Sequence, residues 1–287
     1  MRYLLGVSMP RSGHHLLERI LKNTFGTQIG YCEFYGKDCC KEIPCKFQHE
    51  TADRILFFQK SHDFHFTDPV IVAGASRVVQ YRNPVPRSLS NYELHLRNGH
   101  EDNIRTFRSF LVEEAWYFQR FFDKWMAARQ SEHFFLSYEE LTADPLNALL
   151  RLFRHIGVTV DTERLSAGIA KAVTGRGDGT SFAPAEVFSH RYARQPVLAN
   201  FEEIVIKSCP GYFPMRYFKS ADADVSLIGL IFRAKKAIEA GDRDLALSLA
   251  EAANAQDPGA PQLARLRQAA IALPARTVRV QASAAGQ

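Results

Sequence analysis

Between its first apolar run and its first helical pattern the chain reads Ser8-Met9-Pro10-Arg11-Ser12-Gly13-His14-His15-Leu16-Leu17. The apolar run at residues 3–7 predicts a buried strand, and the leucines that end the segment begin a helical spacing. A turn between a strand and a helix gathers backbone N–H groups and the positive end of the helix dipole around an anion. Gly13 allows a close approach to the backbone, while Arg11 and Ser12 add a charge and a hydroxyl. The segment predicts a phosphate-binding turn.

This turn differs from the loop that binds nucleoside triphosphates. That loop ends in Gly-Lys-Ser/Thr, whose lysine contacts the phosphates and whose hydroxyl binds Mg²⁺. Here Gly13 is followed by His14 and His15. We expect a nucleotide in the turn, and ATP is not the favoured one.

A second anion-binding pattern begins at Arg82. Residues 76–81 read as a buried strand, and Pro84 ends it and forces a turn. Ser90 follows on the segment that we predict to be the next helix. A guanidinium at a strand end and a hydroxyl on the following helix can bind one phosphate together, with the guanidinium as a bidentate fork. The pattern predicts a site for a second phosphate group.

Lys60 and His62 stand between these two patterns. They follow the apolar run 55–58 and lie two residues apart at the end of a predicted strand, so their side chains point to the same side. We expect both side chains in the cleft that binds the anion.

Together these segments resemble the PAPS-dependent sulfotransferases, where PAPS is 3′-phosphoadenosine-5′-phosphosulfate. Residues 10–15 match the family's 5′-phosphosulfate loop, Pro-Lys/Arg-Ser-Gly-x-x, and residues 60–62 match the Lys-x-His of its cytosolic members. Arg82 and Ser90, in a Tyr-Arg-Asn-Pro context, match its 3′-phosphate motif. Residues 137–145 are similar to its Tyr-Glu-x-Leu and Asp-Pro segment, so the motifs stand in family order.

The resemblance implies an α/β fold, with a central parallel sheet flanked by helices in a P-loop-like, three-layer arrangement. It also implies PAPS as co-substrate, 3′-phosphoadenosine-5′-phosphate (PAP) as product, and no requirement for a metal. The expected acceptor is a hydroxyl of a carbohydrate, a lipid-linked sugar or a small molecule. Transfer is expected to proceed by in-line displacement, in which positioning and charge stabilisation dominate.

The resemblance assigns roles to matching positions. His62 is the expected general base, because a neutral imidazole with a pKa near ~6.5 suits proton removal at neutral pH. Lys60 and Arg11 are expected to neutralise charge on the leaving phosphate. The residues expected to bind the cofactor are Arg11, Ser12, Gly13, His14, His15, Arg82, Ser90 and Arg176.

Three of these positions depart from the family pattern or match it loosely. Cytosolic members usually carry Thr-Thr-Trp where this chain has His14-His15-Leu16. Arg176 lies in a glycine-rich stretch that either closes over the 3′-phosphate, as a late loop does in the family, or is an ordinary surface loop.

Two other classes of function stay open. A phosphoryl-transfer enzyme with a degenerate P-loop, such as a sugar kinase, needs a lysine in the loop and an acidic Mg²⁺ ligand after a strand. Arg11 in the loop and the pair Arg82 and Ser90 count against it. A non-catalytic interaction protein that only retains nucleotide would tolerate the loss of Lys60 and His62, yet both are present.

Composition excludes some classes of protein. With 46% apolar residues in 287, the chain can bury a full core. A formal net charge of +5 is not typical of a nucleic-acid-binding protein, but it suits an anionic cofactor. No run reaches the ~18 apolar residues of a membrane helix, and the first apolar run is too short for a signal peptide. We expect a cytoplasmic protein with no nucleic-acid partner and no transmembrane segment.

Four of the five cysteines fall within residues 31–53, which read as an irregular loop. They are Cys32, Cys39, Cys40 and Cys45, with His49 nearby. Free thiols, a disulfide and a zinc site are the alternatives. A reducing cytosol disfavours the disulfide, and the spacing lacks the paired Cys-x₂-Cys repeats that make a zinc prediction strong. No metal ligand is assigned from the sequence.

The sequence predicts two domains and a tail. Residues 1–215 form the catalytic domain, 225–275 a helical appendage and 276–287 a disordered tail. The appendage is similar to one tetratricopeptide-like helix pair at Gly241, Asp242, Ala246, Ala253 and Pro258. One such pair cannot bury its own apolar face. We expect it to pack on the catalytic domain, on a second copy of the chain or on a protein partner.

Overall fold

A computed structural model describes residues 1–49, 53–127, 130–174, 195–209 and 226–274. The strands in this part of the chain are β1 Arg2–Ser8, β2 Ile29–Glu33, β3 Leu56–Ser61, β4 Ala75–Tyr81 and β5 His133–Ser137. They form one parallel sheet in the order β2-β3-β1-β4-β5. The helices are α1 His14–Phe25, α2 Pro84–Arg97, α3 Ile104–Trp125, α4 Tyr138–Ala143, α5 Pro145–Ile156, α6 Thr162–Thr174, α7 Gln195–Ser208, α8 Leu227–Glu239, α9 Arg243–Gln256 and α10 Pro261–Ile271.

β1 is the central strand, with β3 hydrogen-bonded on one side and β4 on the other. Its residues 3–8 are all buried, as in parallel sheets that are covered on both faces. Because side chains alternate along a strand, Leu4 packs with Phe58 and the apolar faces of α1, α5 and α6 on one side. Tyr3 and Leu5 pack with Phe57 on the other side.

Local sequence explains where several helices begin and end. The side chain of Asn83 caps α2, and Pro84 takes the first helical position, where no N–H is needed. Ser137 and Glu140 form a reciprocal capping box at the start of α4. α5 ends at Gly157, which adopts a left-handed conformation with φ 66°.

The predicted fold class, a parallel sheet flanked by helices with further helices at the C-terminal end, is confirmed. The interpretation of residues 31–53 as an irregular loop is wrong at its beginning, because Ile29–Glu33 forms the edge strand β2 and Lys46–His49 forms a short 3-10 helix. Only alternate residues of β2 are buried, so this strand has no continuous apolar run that would reveal it in the sequence.

The described residues divide into two compact units. The first contains residues 1–101 and 117–174 together with Cys209, and with them the whole sheet. The second contains 102–116, 195–208 and 226–274, that is, the first part of α3 together with α7 to α10.

Within the second unit the C-terminal helices are tied to α3. Arg105 forms an ion pair with Asp257 at 2.8 Å, Lys235 pairs with Glu113, and the Trp116 ring lies against Phe232. The tetratricopeptide-like pair and the domain boundaries 1–215 and 225–275 stay predictions. The tail 276–287 lies outside the described residues. Of the helices in the described part of the chain, none is long and apolar enough to cross a bilayer.

Candidate active site

The predicted site residues meet at the carboxyl ends of three neighbouring strands. β1 ends at Ser8, β3 at Ser61 and β4 at Tyr81, and these strands are adjacent in the sheet. The loops that follow carry the predicted turn, His62 and Arg82 to the same edge. Ligands of open parallel sheets bind at this edge, where the loops form a crevice.

The turn that follows β1 has a special backbone. Arg11 and Gly13 both have positive φ, 66° and 86°. A Cβ added to Gly13 would lie 2.7 Å from Cδ2 of Tyr138, so glycine is needed here for its conformation and for space. α1 starts at the next residue, and no side chain caps its N–H groups. Uncapped N–H groups at the start of a helix are donors for an anion.

Two polar side chains of this turn are buried without hydrogen bonds. Ser12 is fully buried and His14 is 6% exposed. Among the described residues, neither the Ser12 Oγ nor either ring nitrogen of His14 has a hydrogen-bond partner. Buried polar groups are nearly always paired, so these atoms indicate a polar ligand in the turn. Burial, followed by the charge of Lys60, holds the pKa of His14 far below its usual value, so the ring is neutral.

We expect Gly13→Ala to destabilise the protein more than Gly74→Ala does. Gly74 also has positive φ, 74°, but an added Cβ there meets nothing within 4 Å. Both variants carry the cost of a left-handed alanine, about 1–2 kcal/mol, and Gly13→Ala adds the clash with Tyr138, a further ~1–3 kcal/mol. Urea denaturation of the two variants and the parent measures the difference. Equal losses would show that Tyr138 gives way without cost.

His62 is held in one tautomer. Its Nδ1 lies 2.7 Å from the carbonyl oxygen of Ser8, and because a carbonyl only accepts, Nδ1 carries the proton. The lone pair of the neutral ring is therefore on Nε2. Tyr117 donates its hydroxyl to the His62 carbonyl at 2.8 Å, which fixes the backbone on the other side. Burial, followed by the charge of Lys60, lowers the pKa of His62 to about 3, well below the value of ~6.5 that the general-base role was expected to use. An anion bound beside Lys60 would raise this pKa again, because negative charge favours the protonated ring.

The low pKa of His62 predicts a loss of stability in acid. The unfolded chain binds a proton at His62 below pH ~6.5, whereas the folded chain resists it down to about pH 3. The free energy of unfolding therefore falls as the pH drops through this window, by about 2 kcal/mol at pH 5 for this one group. His62→Asn removes the group, so we expect a smaller difference in unfolding free energy between pH 7 and pH 5 than in the parent. An unchanged difference would place the acid sensitivity elsewhere.

Lys60 is almost completely buried and forms an ion pair that the sequence analysis missed. Its Nζ donates to Oε1 of Glu33 at 2.7 Å, and the two residues are register partners on β3 and β2. Burial lowers the pKa of Lys60, while Glu33 opposes this shift. The sequence gives no signal for Glu33, because the edge strand β2 lacks a continuous apolar run. Without that strand, nothing in the sequence places it beside Lys60.

The two anion motifs are joined by direct hydrogen bonds. Arg11 Nε donates to Ser90 Oγ at 3.0 Å, and Arg82 Nη1 donates to the Arg11 carbonyl at 3.2 Å. Arg82 also stacks over the ring of Tyr138, with 4.2 Å from its guanidinium carbon to the ring centre. Burial, followed by the charge of Arg82, lowers the pKa of Arg11, as expected for two guanidinium groups that share one site.

Further residues support this arrangement. Arg87, only 1% exposed, donates its Nε to the Pro10 carbonyl at 2.9 Å. Glu139 accepts the backbone N–H of Asn83 at 3.1 Å. The sequence pattern of a buried helical arginine is the same as that of a solvent-exposed one, so Arg87 cannot be predicted as a site residue from the sequence. The Tyr-Glu pair at 138–139 stood out only as similar to a family segment.

One predicted residue has an exposed side chain, and another lies outside the described residues. The His15 side chain is exposed and its Nδ1 faces Glu18 at 3.2 Å, while its ring lies 3.9 Å from that of His14, measured between ring centres. Asp63 follows His62 but has no predicted role, and it pairs with Lys124 at 2.7 Å. Arg176 lies outside the described residues.

The chain is similar to two solved structures and to one family model. No curated protein sequence matches the chain. The crystal structure of mouse sulfotransferase SULT7A1 complexed with PAP superposes with a TM-score of 0.53 and 14% identity, over 74% of this chain and 84% of that one. A sulfotransferase from Alicyclobacillus acidocaldarius gives a TM-score of 0.36 and 15% identity, over 61% and 93%.

The family itself follows from the sequence match. The model of the sulfotransferase domain family matches residues 3–173. That range holds the five strands, the phosphate-binding turn and the segments that carry Lys60, His62, Arg82 and Ser90. It is more than half of the chain, and the likeness to the mouse structure gives the same fold. The chain therefore belongs to the sulfotransferase domain family.

Proposed function

We propose that this protein transfers the sulfuryl group of PAPS to a hydroxyl of an acceptor molecule. One observation carries the proposal: three groups of residues converge at the carboxyl ends of β1, β3 and β4. They are the uncapped turn before α1, the pair Lys60 and His62, and the pair Arg82 and Ser90. A site with two anion-binding motifs and a neutral histidine between them suits a cofactor with two separate anionic ends.

The residues of the turn suit the phosphosulfate end of the cofactor. Ser12 Oγ and the His14 ring nitrogens are buried without partners in the described part of the chain, so a ligand there satisfies groups that otherwise carry a desolvation cost. The N–H groups at the start of α1 add donors with fixed direction. Arg11 supplies the positive charge beside them.

Arg82 and Ser90 suit the 3′-phosphate. Both adjoin Arg11, so the second phosphate would lie next to the turn that holds the first. The mouse sulfotransferase of the same fold was crystallised with PAP, the nucleotide that carries this 3′-phosphate. We therefore propose that Arg82 is the residue that favours PAP over nucleotides that lack a 3′-phosphate.

The proposed chemistry uses groups that the chain already orients. When bound, PAPS supplies an activated sulfuryl group and a phosphate leaving group. His62 holds its Nδ1 proton on the Ser8 carbonyl, so its Nε2 is the atom that takes the proton of the acceptor hydroxyl. Lys60, fixed by Glu33, and Arg11 place positive charge where the leaving phosphate gains negative charge. Catalysis thus rests on positioning and electrostatics, as in other transfers through loose transition states.

An aromatic surface beside His62 bears on the acceptor. The ring of Phe64 lies 5.0 Å from His62 and 4.9 Å from Tyr35, measured between ring centres. Phe64 is 44% exposed, so its ring is accessible to a molecule that approaches His62. Aromatic rings at this position suit an acceptor with a flat face, such as a sugar ring or a phenol. We therefore propose a carbohydrate, a lipid-linked sugar or a small molecule as the acceptor class.

Calorimetric titration tests the cofactor. We expect micromolar binding of PAP to the purified full chain, and little binding of ATP with Mg²⁺. Tight, metal-dependent binding of ATP would instead favour a phosphoryl-transfer enzyme. Binding of neither nucleotide would favour an interaction protein without catalytic activity.

The role of the C-terminal helices is a separate proposal. We propose that α8 and α9 form a tetratricopeptide-like helix pair. Ala246 and Ala253 are fully buried, and Gly241 has a positive φ of 71° in the turn between the two helices. We propose that these helices bind a protein partner or a second copy of the chain. We also propose that the protein acts in the cytoplasm. A concentration series by light scattering tests the second copy, and a mass that stays monomeric would contradict it.

A further inference from the structure

Four thiols converge beside the edge of the sheet. Cys32 lies on β2, and Cys39, Cys40 and Cys45 lie in the loop that follows. The Sγ atoms of Cys32 and Cys39 are 3.2 Å apart, and those of Cys40 and Cys45 are 3.5 Å apart. Those of Cys32, Cys40 and Cys45 all lie within 4.8 Å of one another.

These separations are those of ligands around one small ion. Zinc binds thiolates at about 2.3 Å, which places the sulfurs of a tetrahedral site about 3.8 Å apart. In this chain two sulfur pairs are somewhat closer than that value, at 3.2 and 3.5 Å, and three sulfurs lie within 4.8 Å of one another. A disulfide requires about 2.05 Å and joins sulfurs only in pairs. Here the Cys32 Sγ adjoins that of Cys39 and also lies within 4.8 Å of those of Cys40 and Cys45, so its contacts are not confined to one pair.

The surroundings of the sulfurs also suit thiolates. The backbone N–H of Lys41 donates to the Cys39 Sγ at 3.2 Å. Such N–H donors orient thiolate ligands and offset their charge. On the inner side, buried Tyr3 and Phe57 pack against the cysteines.

The cluster has an access route from solvent. A cavity of about 410 Å³ is lined in part by Cys32, Cys39 and Cys45. An ion can therefore reach the sulfurs without unfolding of the sheet. Access, ligand number, sulfur spacing and hydrogen-bonded sulfurs are the features by which a metal site is judged.

We propose that Cys32, Cys40 and Cys45, with Cys39 as the fourth ligand, bind one structural zinc ion. The ion closes the loop after β2 and fixes the end of that strand, where Glu33 follows Cys32 and holds Lys60. It takes no part in the transfer itself. The sequence did not predict it, because the cysteines are spaced x₆, x₀ and x₄ rather than as Cys-x₂-Cys pairs.

The first test measures metal in the full chain, purified under reducing conditions and without chelator. We expect about one zinc per chain by elemental analysis, with release as a mercurial reagent blocks the thiols of the parent protein. Because this titration needs no variant, it holds even where a cysteine variant fails to fold. Cobalt added to the metal-depleted protein should give the intense visible bands and the sulfur-to-metal charge transfer of a tetrahedral thiolate site.

Variants locate the site. Cys45→Ser is expected to lose the zinc and to lower the melting temperature of the zinc-supplemented protein, whereas Cys209→Ser, which removes a thiol outside the cluster, retains one zinc per chain. Two results would overturn the proposal. One is a zinc-free protein with all thiols reactive. The other is a zinc-free chain lighter by four hydrogen masses, which would show two disulfides instead. Neither result would bear on PAP binding, so the proposed function is tested separately.

Discussion

Replacement of His62 by asparagine is expected to lower kcat by about 10²–10⁴ and to leave the affinity for PAP unchanged. The asparagine amide can donate to the Ser8 carbonyl from the position of Nδ1, so the bond that ties this segment to the turn survives. The atom that is lost is Nε2, which carries the lone pair. Turnover with a hydroxyl acceptor and calorimetric binding of PAP, measured on the same preparation, separate the two effects.

His62→Gln provides the matched comparison. Its amide reaches toward the position of Nε2 but does not supply the donor at Nδ1, so it disturbs the turn as well as the base. We expect His62→Gln to weaken PAP binding more than His62→Asn does, with similar loss of kcat. If His62→Asn keeps full kcat, His62 is not the general base. If His62→Asn loses PAP binding, His62 is a cofactor ligand instead.

The position of the site could be predicted because strand ends are readable in the sequence. Each motif directly follows an apolar run, and parallel strands present their carboxyl ends at one edge. Proline after Asn83 and glycine at position 13 further marked the turns, since their backbone preferences are local. This is why Arg11, Lys60, His62 and Arg82 are brought together from three separate segments.

What the sequence did not reveal are the partners of these residues. Glu33 lies on a five-residue edge strand with no continuous apolar run, and Arg87 is a buried helical arginine that sequence patterns cannot tell from a solvated one. The Tyr138 ring meets both Gly13 and Arg82 only after the sheet is assembled. Such contacts depend on strand order and register, which local propensity does not encode. The convergence of the cysteines has the same origin, because Cys32 reaches the others only through β2.

Replacement of Arg82 by alanine is expected to weaken PAP binding by about 10- to 150-fold, because it removes a charge-assisted fork worth roughly 1.5–3 kcal/mol. The affinity for 5′-AMP, which lacks the 3′-phosphate, should change little. The comparison is needed because Arg82 also donates to the Arg11 carbonyl and stacks on Tyr138.

If that structural contact were its main role, Arg82→Ala would loosen the turn and weaken both nucleotides equally, and that result would contradict the 3′-phosphate assignment. Arg151→Ala removes the same charge from an exposed position that pairs with Glu140, so it controls for long-range attraction of the anion.

Ser90→Ala removes the hydroxyl that accepts a hydrogen bond from Arg11. It should weaken PAP binding less than Arg82→Ala does, because a neutral hydrogen bond contributes only about 0.5–1.5 kcal/mol. We expect Arg82→Ala to weaken PAP binding most, Ser90→Ala to weaken it less and Arg151→Ala to leave it unchanged. This is the pattern expected when a guanidinium binds a phosphate and a hydroxyl adds a weaker hydrogen bond.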